Sequence, residues 1–177
     1  GMWAVGGGRE GISGSAGTSR SCAIRSATPA DVPASLCIIR ELAEYERARN
    51  DVCATESGLA EALFGDHPAA EVLLGEEAGA PIAFALFFHN FSTWTGRRGL
   101  YLEDLFVRSE LRGKGYGKAL LVRLAAIARE RECGRMEWAV LDWNEPAIDF
   151  YRKLGAKPNE EWPIFRLTTE EIAADAG

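Results

Sequence analysis

Apolar residues follow two patterns along the chain, short continuous runs and helical spacing, and the alternation of these patterns predicts an order of strands and helices. Short apolar runs bounded by turn residues predict strands at residues 22–27, 71–74, 82–89, 100–107, 136–141 and 162–167. Apolar residues three to four positions apart predict helices at residues 28–47, 55–64, 117–132, 144–154 and 169–174. This order predicts an α/β fold in which a mixed sheet carries helices on both faces.

Turn and capping residues mark several of these boundaries. Thr28 before a proline is typical of a helix start, as is Asn144 before Glu-Pro. Gly155 follows the last residue of the fourth helix and predicts its end. A hairpin turn is predicted at residues 76–79, and a loop at residues 90–99.

Length and charge narrow the class of protein. The 177 residues fit one domain, which we place at residues 21–177. Residues 1–20 are rich in Gly and Ser and lack the long apolar core of a signal peptide, so we expect a flexible tail that begins with a tag remnant. The net charge of −6 argues against a nucleic-acid partner and suits a cationic one. No apolar stretch approaches the ~20 residues of a membrane span, so no membrane partner is expected.

The four cysteines and two histidines form no metal-binding pattern. The cysteines contain no C-x-x-C pair, and His67 and His89 stand apart from them. Scattered free thiols are typical of a reducing compartment, which predicts a cytoplasmic protein without a metal site.

A glycine-rich stretch separates the predicted strand at residues 100–107 from the next helix. Its residues are Arg112, Gly113, Lys114, Gly115, Tyr116, Gly117 and Lys118. Backbone N–H groups at such a turn bind phosphate, because glycine leaves room and the helix N-terminus carries about half a positive charge. The P-loop pattern fails because Ala119 follows Lys118, and the dinucleotide fingerprint fails because Lys118 replaces its last glycine. The alternative is a glycine-rich turn that binds nothing.

The pattern Arg112-x-x-Gly115-x-Gly117 resembles the acetyl-CoA pyrophosphate loop of the GNAT acetyltransferase superfamily. Further segments resemble its diamine (spermidine/spermine) and thialysine N-acetyltransferase branch: ELAEYE at 41–46, FGDHP at 64–68, YLEDLFV at 101–107, AVLDWNEP at 139–146 and DFY at 149–151. The resemblance spans residues 24–167. It implies the GNAT fold with a mostly antiparallel sheet of six to seven strands, acetyl-CoA as acetyl donor, and a homodimer.

Acetyl transfer to an amine requires a neutral amine, a donor for the developing oxyanion and a proton for the leaving thiolate. By resemblance, Glu103 binds the amine and removes its proton through water, and Asp104 lies in the same amine site. Ordinary pleating points these neighbours to opposite faces, unless a bulge known from the family redirects one of them. The alternative is two solvated acids on a strand.

The resemblance places Tyr151 beside the thioester sulfur as the general acid. A phenol suits this role because it stays protonated at pH 7. A buried core aromatic is the alternative. A backbone N–H near Phe106 or Val107, where strands part, would stabilise the oxyanion. Asn144 is expected to bind coenzyme A, whereas capping its helix would equally explain an asparagine there.

Trp94 matches a loop tryptophan that lines the amine site in the family, where an aromatic face attracts a cation. The alternative is an anchor packed on the sheet. Arg97 and Arg98 in the same loop would repel a polycation, which disfavours a polyamine.

Together these residues predict an acetyl-CoA-dependent N-acetyltransferase that works by direct attack in a ternary complex. The expected acceptor is a primary amine of a small molecule: a diamine, a polyamine or a thialysine-like amino acid. One alternative acceptor is a protein lysine or N-terminus. A non-catalytic acyl-CoA-binding module is the other alternative, but such a module needs neither Tyr151 nor Glu103.

Overall fold

The computed structural model describes residues 23–161 and 163–175. The tail predicted at residues 1–20 lies outside them. In chain order the elements are β1 (Ala23–Ser26), α1 (Val32–Tyr45), α2 (Glu56–Phe64), β2 (Glu71–Glu77), β3 (Ala80–Ser92), β4 (Arg97–Val107), α3 (Tyr116–Glu130), β5 (Met136–Trp138), α4 (Glu145–Lys153) and α5 (Thr169–Asp175). A 3₁₀ turn, Ser109–Leu111, lies between β4 and α3. None of the helices in this described part is long and apolar enough to cross a membrane.

Five strands form one sheet in the order β1-β2-β3-β4-β5. The first four are antiparallel neighbours, and β5 runs parallel to β4. The predicted α/β class and mostly antiparallel sheet are confirmed, and residues 23–161 and 163–175 contain five strands instead of the six to seven predicted. The strand predicted at residues 136–141 already ends at Trp138.

The last strand predicted, at residues 162–167, is absent over residues 163–167, and Trp162 lies outside the described residues. The segment is apolar, yet Ile164, Phe165 and Leu167 are 76%, 93% and 56% exposed. A strand forms only where a neighbouring edge can pair with its backbone. The edge strand β5 has only three residues, so a single chain offers this segment little to pair with.

The predicted loop at residues 90–99 is instead the tip of a long hairpin. β3 and β4 remain paired up to Ser92 and Arg97, so only residues 93–96 connect them. The predicted turn between β2 and β3 is confirmed. It is a two-residue connection at Ala78 and Gly79, both with positive φ, as tight hairpins require.

Helices cover both faces of the sheet, as predicted. On one face, Leu120 of α3 and Ala147 of α4 pack with Leu105 of β4 in the larger buried cluster. On the other face, Ile38 of α1 packs with Phe106 of β4. Burial of each such large side chain stabilises the fold by about 1.5–3 kcal/mol, so β4 is held rigidly from both sides.

Candidate active site

A β-bulge in β4 brings the two predicted acids to one face of the sheet. The pairing with β3 slips between Leu102 and Asp104, so Glu103 is an extra residue in β4. Leu102 and Leu105 consequently pack in the same buried cluster, although regular alternation would send them to opposite faces. Glu103 and Asp104 therefore both lie on the α1 side of the sheet.

The two acids concentrate negative charge in a partly desolvated place. Burial, with a contribution from the charge of Glu103, raises the carboxyl pKa of Asp104 to about 6. Burial and the same carboxylate raise the phenol pKa of Tyr101, two residues before Glu103. Such a site attracts a cation, because a positive charge would relieve the repulsion between its carboxylates.

We expect Asp104→Asn to stabilise the fold at neutral pH. The carboxyl pKa is about 6 in the folded chain against 3.8 for an unperturbed aspartate, so ionisation opposes folding. Well below pH 3.8 the group is neutral in both states and costs nothing. Between about pH 4 and pH 6 the unfolded chain ionises while the folded chain does not, so the wild-type chain loses about 2–3 kcal/mol of stability that the variant retains.

Urea unfolding at pH 4 and pH 7.5 measures this difference. The exposed Asp142 provides the control, since Asp142→Asn is expected to leave both values unchanged. Equal stability of the Asp104→Asn variant and the wild type at pH 7.5 would contradict the expectation.

β4 and β5 separate at the bulge. Their pairing covers only Leu100 to Leu102 against Met136–Trp138. Beyond it, and within the part of the chain that is described, residues 103–107 have no strand on that side. The N–H of Arg108 donates to Ile82 on β3 at 3.1 Å, and successive N–H groups of a strand point to opposite edges. The N–H of Val107, rather than that of Phe106, therefore points to the open edge.

Tyr151 lies where the two strands part. Its ring centroid is 5.1 Å from that of Trp138, the last residue of β5, and 5.4 Å from that of Phe150. The side chain is 4% exposed, and burial raises the pKa of its phenol. Tyr151 is therefore both part of the core and a group that remains protonated throughout the physiological pH range.

Asn144 fixes the start of the helix that carries Tyr151. It is buried, and its side-chain oxygen accepts a hydrogen bond from the Ala147 N–H at 3.4 Å. The capping interpretation is thus confirmed, while a contact of Asn144 with coenzyme A stays a prediction.

The glycine stretch forms an open cradle. Gly113 and Gly115 have φ values of +79° and +88°, a region that other residues rarely adopt. A Cβ added at Gly115 would meet nothing within 4 Å. The hydrogen bond from the Ala119 N–H to the Gly115 carbonyl begins the α3 ladder, which leaves the N–H groups of residues 116–118 outside it. Such a cradle of N–H groups fits a diphosphate.

Side chains around the cradle divide into two groups. Lys114 and Lys118 are exposed and add positive charge beside the cradle, whereas the Tyr116 ring is buried in the core. Arg112 is partly buried, and its guanidinium is engaged within the protein: its Nε donates to the Val107 carbonyl at 2.9 Å. A direct contact of Arg112 with a cofactor therefore stays a prediction.

The structure does not bring Trp94 to the other predicted site residues. It lies in the turn at the tip of the β3–β4 hairpin and is 88% exposed. Arg97, at the start of β4, and Glu103 are six residue steps apart along the strand, a distance of about 20 Å. A role for Trp94 at the amine site stays a prediction that a single chain does not support.

The contacts between α1 and the segment that joins β4 to α3 were not predicted from the sequence. Glu41 accepts hydrogen bonds from Arg108, and Tyr45 stacks on Arg112. Glu41 and Tyr45 are four residues apart, as are Arg108 and Arg112, and this equal spacing was the signal in the sequence that could have predicted the contacts. A cleft of about 500 Å³ adjoins Glu41 and is lined by Cys37, Arg40, Glu41, Glu44, Asn50 and Val52, none of which belongs to the predicted site.

Comparison with known proteins identifies the class. A model of the acetyltransferase (GNAT) family matches residues 38–156. The chain is 38% identical over 168 residues to thialysine N-epsilon-acetyltransferase of Sus scrofa, covering 89% of this chain and 98% of that protein. It is 34% identical over 196 residues to L-ornithine N5-acetyltransferase of Arabidopsis thaliana, covering 85% and 86%. An integron cassette protein from the mobile metagenome of V. cholerae has a solved structure similar to this fold, with a TM-score of 0.75, 29% identity and coverage of 88% and 98%.

The chain therefore belongs to the GNAT acetyltransferase family. It is an N-acetyltransferase, and the family, fold class and enzyme class predicted from the sequence are confirmed. The roles of individual site residues stay predictions, which the geometry around the open edge of β4 supports to different degrees.

Proposed function

We propose that this enzyme transfers the acetyl group of acetyl-CoA to a primary amine of a small molecule, by direct attack in a ternary complex. The observation that carries the proposal is the separation of β4 from β5, because it leaves an open edge running from the glycine cradle to Tyr151. Relatives that act on thialysine and on L-ornithine support a free amino acid as acceptor.

Three places in the chain fit coenzyme A. Its diphosphate fits the N–H groups of residues 113–118, with Lys114 and Lys118 nearby. Its extended arm fits the open edge of β4, as an added strand would. Its sulfur end fits the region of Tyr151. When bound, the cofactor supplies the activated acetyl thioester.

Val107 and Tyr151 handle the charges that develop during transfer. The Val107 N–H faces the open edge, where it stabilises negative charge on the acetyl oxygen. The Tyr151 phenol donates a proton to the departing thiolate. Burial raises the pKa of this phenol. The same desolvation raises the pKa of the leaving thiol, so the phenol can still give its proton to the thiolate.

Glu103 and Asp104 handle the amine. At pH 7 an alkylammonium ion must lose a proton at a cost of about 4–5 kcal/mol. A carboxylate that holds the ammonium also strengthens its hold on the proton, so Glu103 passes the proton to solvent through water. Asp104, with its pKa of about 6, is suited to accept a proton near neutral pH.

Thiol release from acetyl-CoA, measured across putrescine, spermidine, thialysine, ornithine, lysine and lysine-containing peptides, tests this function. We expect turnover on at least one free amine, with free amino acids faster than peptides. Faster turnover on peptides would establish a protein acetyltransferase instead. If the protein binds acetyl-CoA but releases no thiol with any acceptor, it is a non-catalytic acyl-CoA-binding module.

A homodimer belongs to the same proposal. The exposed apolar residues Ile164, Phe165 and Leu167 lie in a segment without regular secondary structure, which a second copy of the chain could cover by pairing with it. Sedimentation velocity is expected to find a dimer for the wild type and a monomer for Phe165→Asp. A monomeric wild type at micromolar concentration would overturn this part.

We also propose a cytoplasmic setting. Cys37, Cys53 and Cys133 are free thiols within the described part of the chain, and free thiols are typical of a reducing compartment.

A further inference from the structure

Four side chains tie α1 to the segment between β4 and α3. Glu41 and Tyr45 are four residues apart on α1 and therefore share one face. Arg108 donates from Nε and Nη2 to the two carboxylate oxygens of Glu41, at 3.0 and 2.9 Å. Four residues later, the Arg112 guanidinium lies 4.5 Å from the centroid of the Tyr45 ring.

Arg112 connects these contacts with α1 to the open edge of β4. Its guanidinium is 5.5 Å from the Phe106 ring as well as stacked on Tyr45, and its Nε holds the Val107 carbonyl at 2.9 Å. That carbonyl belongs to the residue whose N–H faces the open edge. A planar guanidinium can stack and donate at the same time, which a lysine ammonium cannot.

We propose that Arg112 and Tyr45, supported by the Arg108–Glu41 pair, are positioning residues. They hold the cofactor loop, which is the glycine cradle at residues 113–118, in its binding conformation before acetyl-CoA arrives. This inference rests on the proposed function. Glycines at positions 113, 115 and 117 give the loop a large conformational entropy, which binding would otherwise have to remove. Anchoring the loop at its entry, where Arg112 holds the Val107 carbonyl, reduces that cost.

The experiment compares conservative and disruptive variants of the two positions. We expect Arg112→Lys and Tyr45→Leu each to raise the Kd for acetyl-CoA about tenfold in calorimetry, with kcat changed less than about threefold. Tyr45→Phe keeps the ring and should bind like the wild type. Arg123→Lys is the control, because Arg123 forms an exposed ion pair with Glu130 on α3.

Hydrogen exchange of the hydrogen-bonded amides that flank the cradle, those of Leu111, Arg112 and Ala119, provides the second readout without ligand. Exchange should accelerate in Arg112→Lys and Tyr45→Leu but not in Tyr45→Phe or Arg123→Lys, while thermal unfolding verifies that each variant is folded. Wild-type affinity and wild-type exchange in Arg112→Lys would overturn the proposal, as would a loss confined to kcat. A wild-type chain that does not bind acetyl-CoA would refute the proposed function instead, and the exchange rates would still decide whether α1 holds the loop.

Discussion

Replacing Tyr151 with phenylalanine is expected to lower kcat for acetyl transfer about 10²–10⁴-fold, the usual contribution of a general acid. The ring packs against Trp138 and Phe150, and phenylalanine keeps that packing. Only the hydroxyl is lost, so the protein should unfold at nearly the wild-type temperature. Steady-state kinetics with the best acceptor amine, together with calorimetry of acetyl-CoA binding, measures the effect.

The affinity for acetyl-CoA should change little in this variant, since the proposed diphosphate contacts come from the cradle and not from the phenol. Tyr45→Phe is the control, because it deletes the hydroxyl of a tyrosine on α1, outside the predicted catalytic and amine-binding residues, and should keep at least a third of the wild-type kcat. A Tyr151→Phe variant with the same retained activity would show that the phenol is only a core aromatic.

Gly115→Ala is expected to weaken acetyl-CoA binding by at least tenfold, because the new methyl group projects into the open cradle. Alanine also strains the backbone at a φ of +88°, which costs about 1–2 kcal/mol of stability. Calorimetry and thermal unfolding separate the two effects.

Gly155 offers a control with the same backbone geometry. It also has φ of +88° and no atom within 4 Å of an added Cβ, but it follows α4 rather than the cofactor loop. Gly155→Ala should therefore lose similar stability and bind acetyl-CoA normally. Equal losses of affinity in both variants would mean that Gly115 matters only for folding.

Local signals in the sequence predicted much of the fold and part of the site. The cap at Asn144 and the periodicity of residues 117–132 placed α3 and α4 within a few residues of their observed bounds. The glycine cradle was predicted as well, since it is a strand-to-helix turn whose geometry depends on neighbouring residues. These features could be predicted because their causes lie within one or two turns of chain.

Features that depend on distant partners could not be predicted from the residues alone. The common face of Glu103 and Asp104 arises from register with β3, and the inward direction of Arg112 arises from Tyr45, 67 positions earlier. Likewise, the apolar residues 163–167 carry a strand pattern, but pattern alone supplies no partner edge. Resemblance to a family predicted roles for such residues and a bulge in β4, but not the contact between Arg112 and Tyr45.

The core does not require the extra residue in β4. If one residue between Leu102 and Leu105 were deleted, the two leucines would stand two positions apart, and regular alternation would keep both of them and Val107 in the same buried cluster. The bulge instead adds a second side chain to the α1 side of the sheet. A strand of regular length would therefore pack equally well but would present one acid there in place of two.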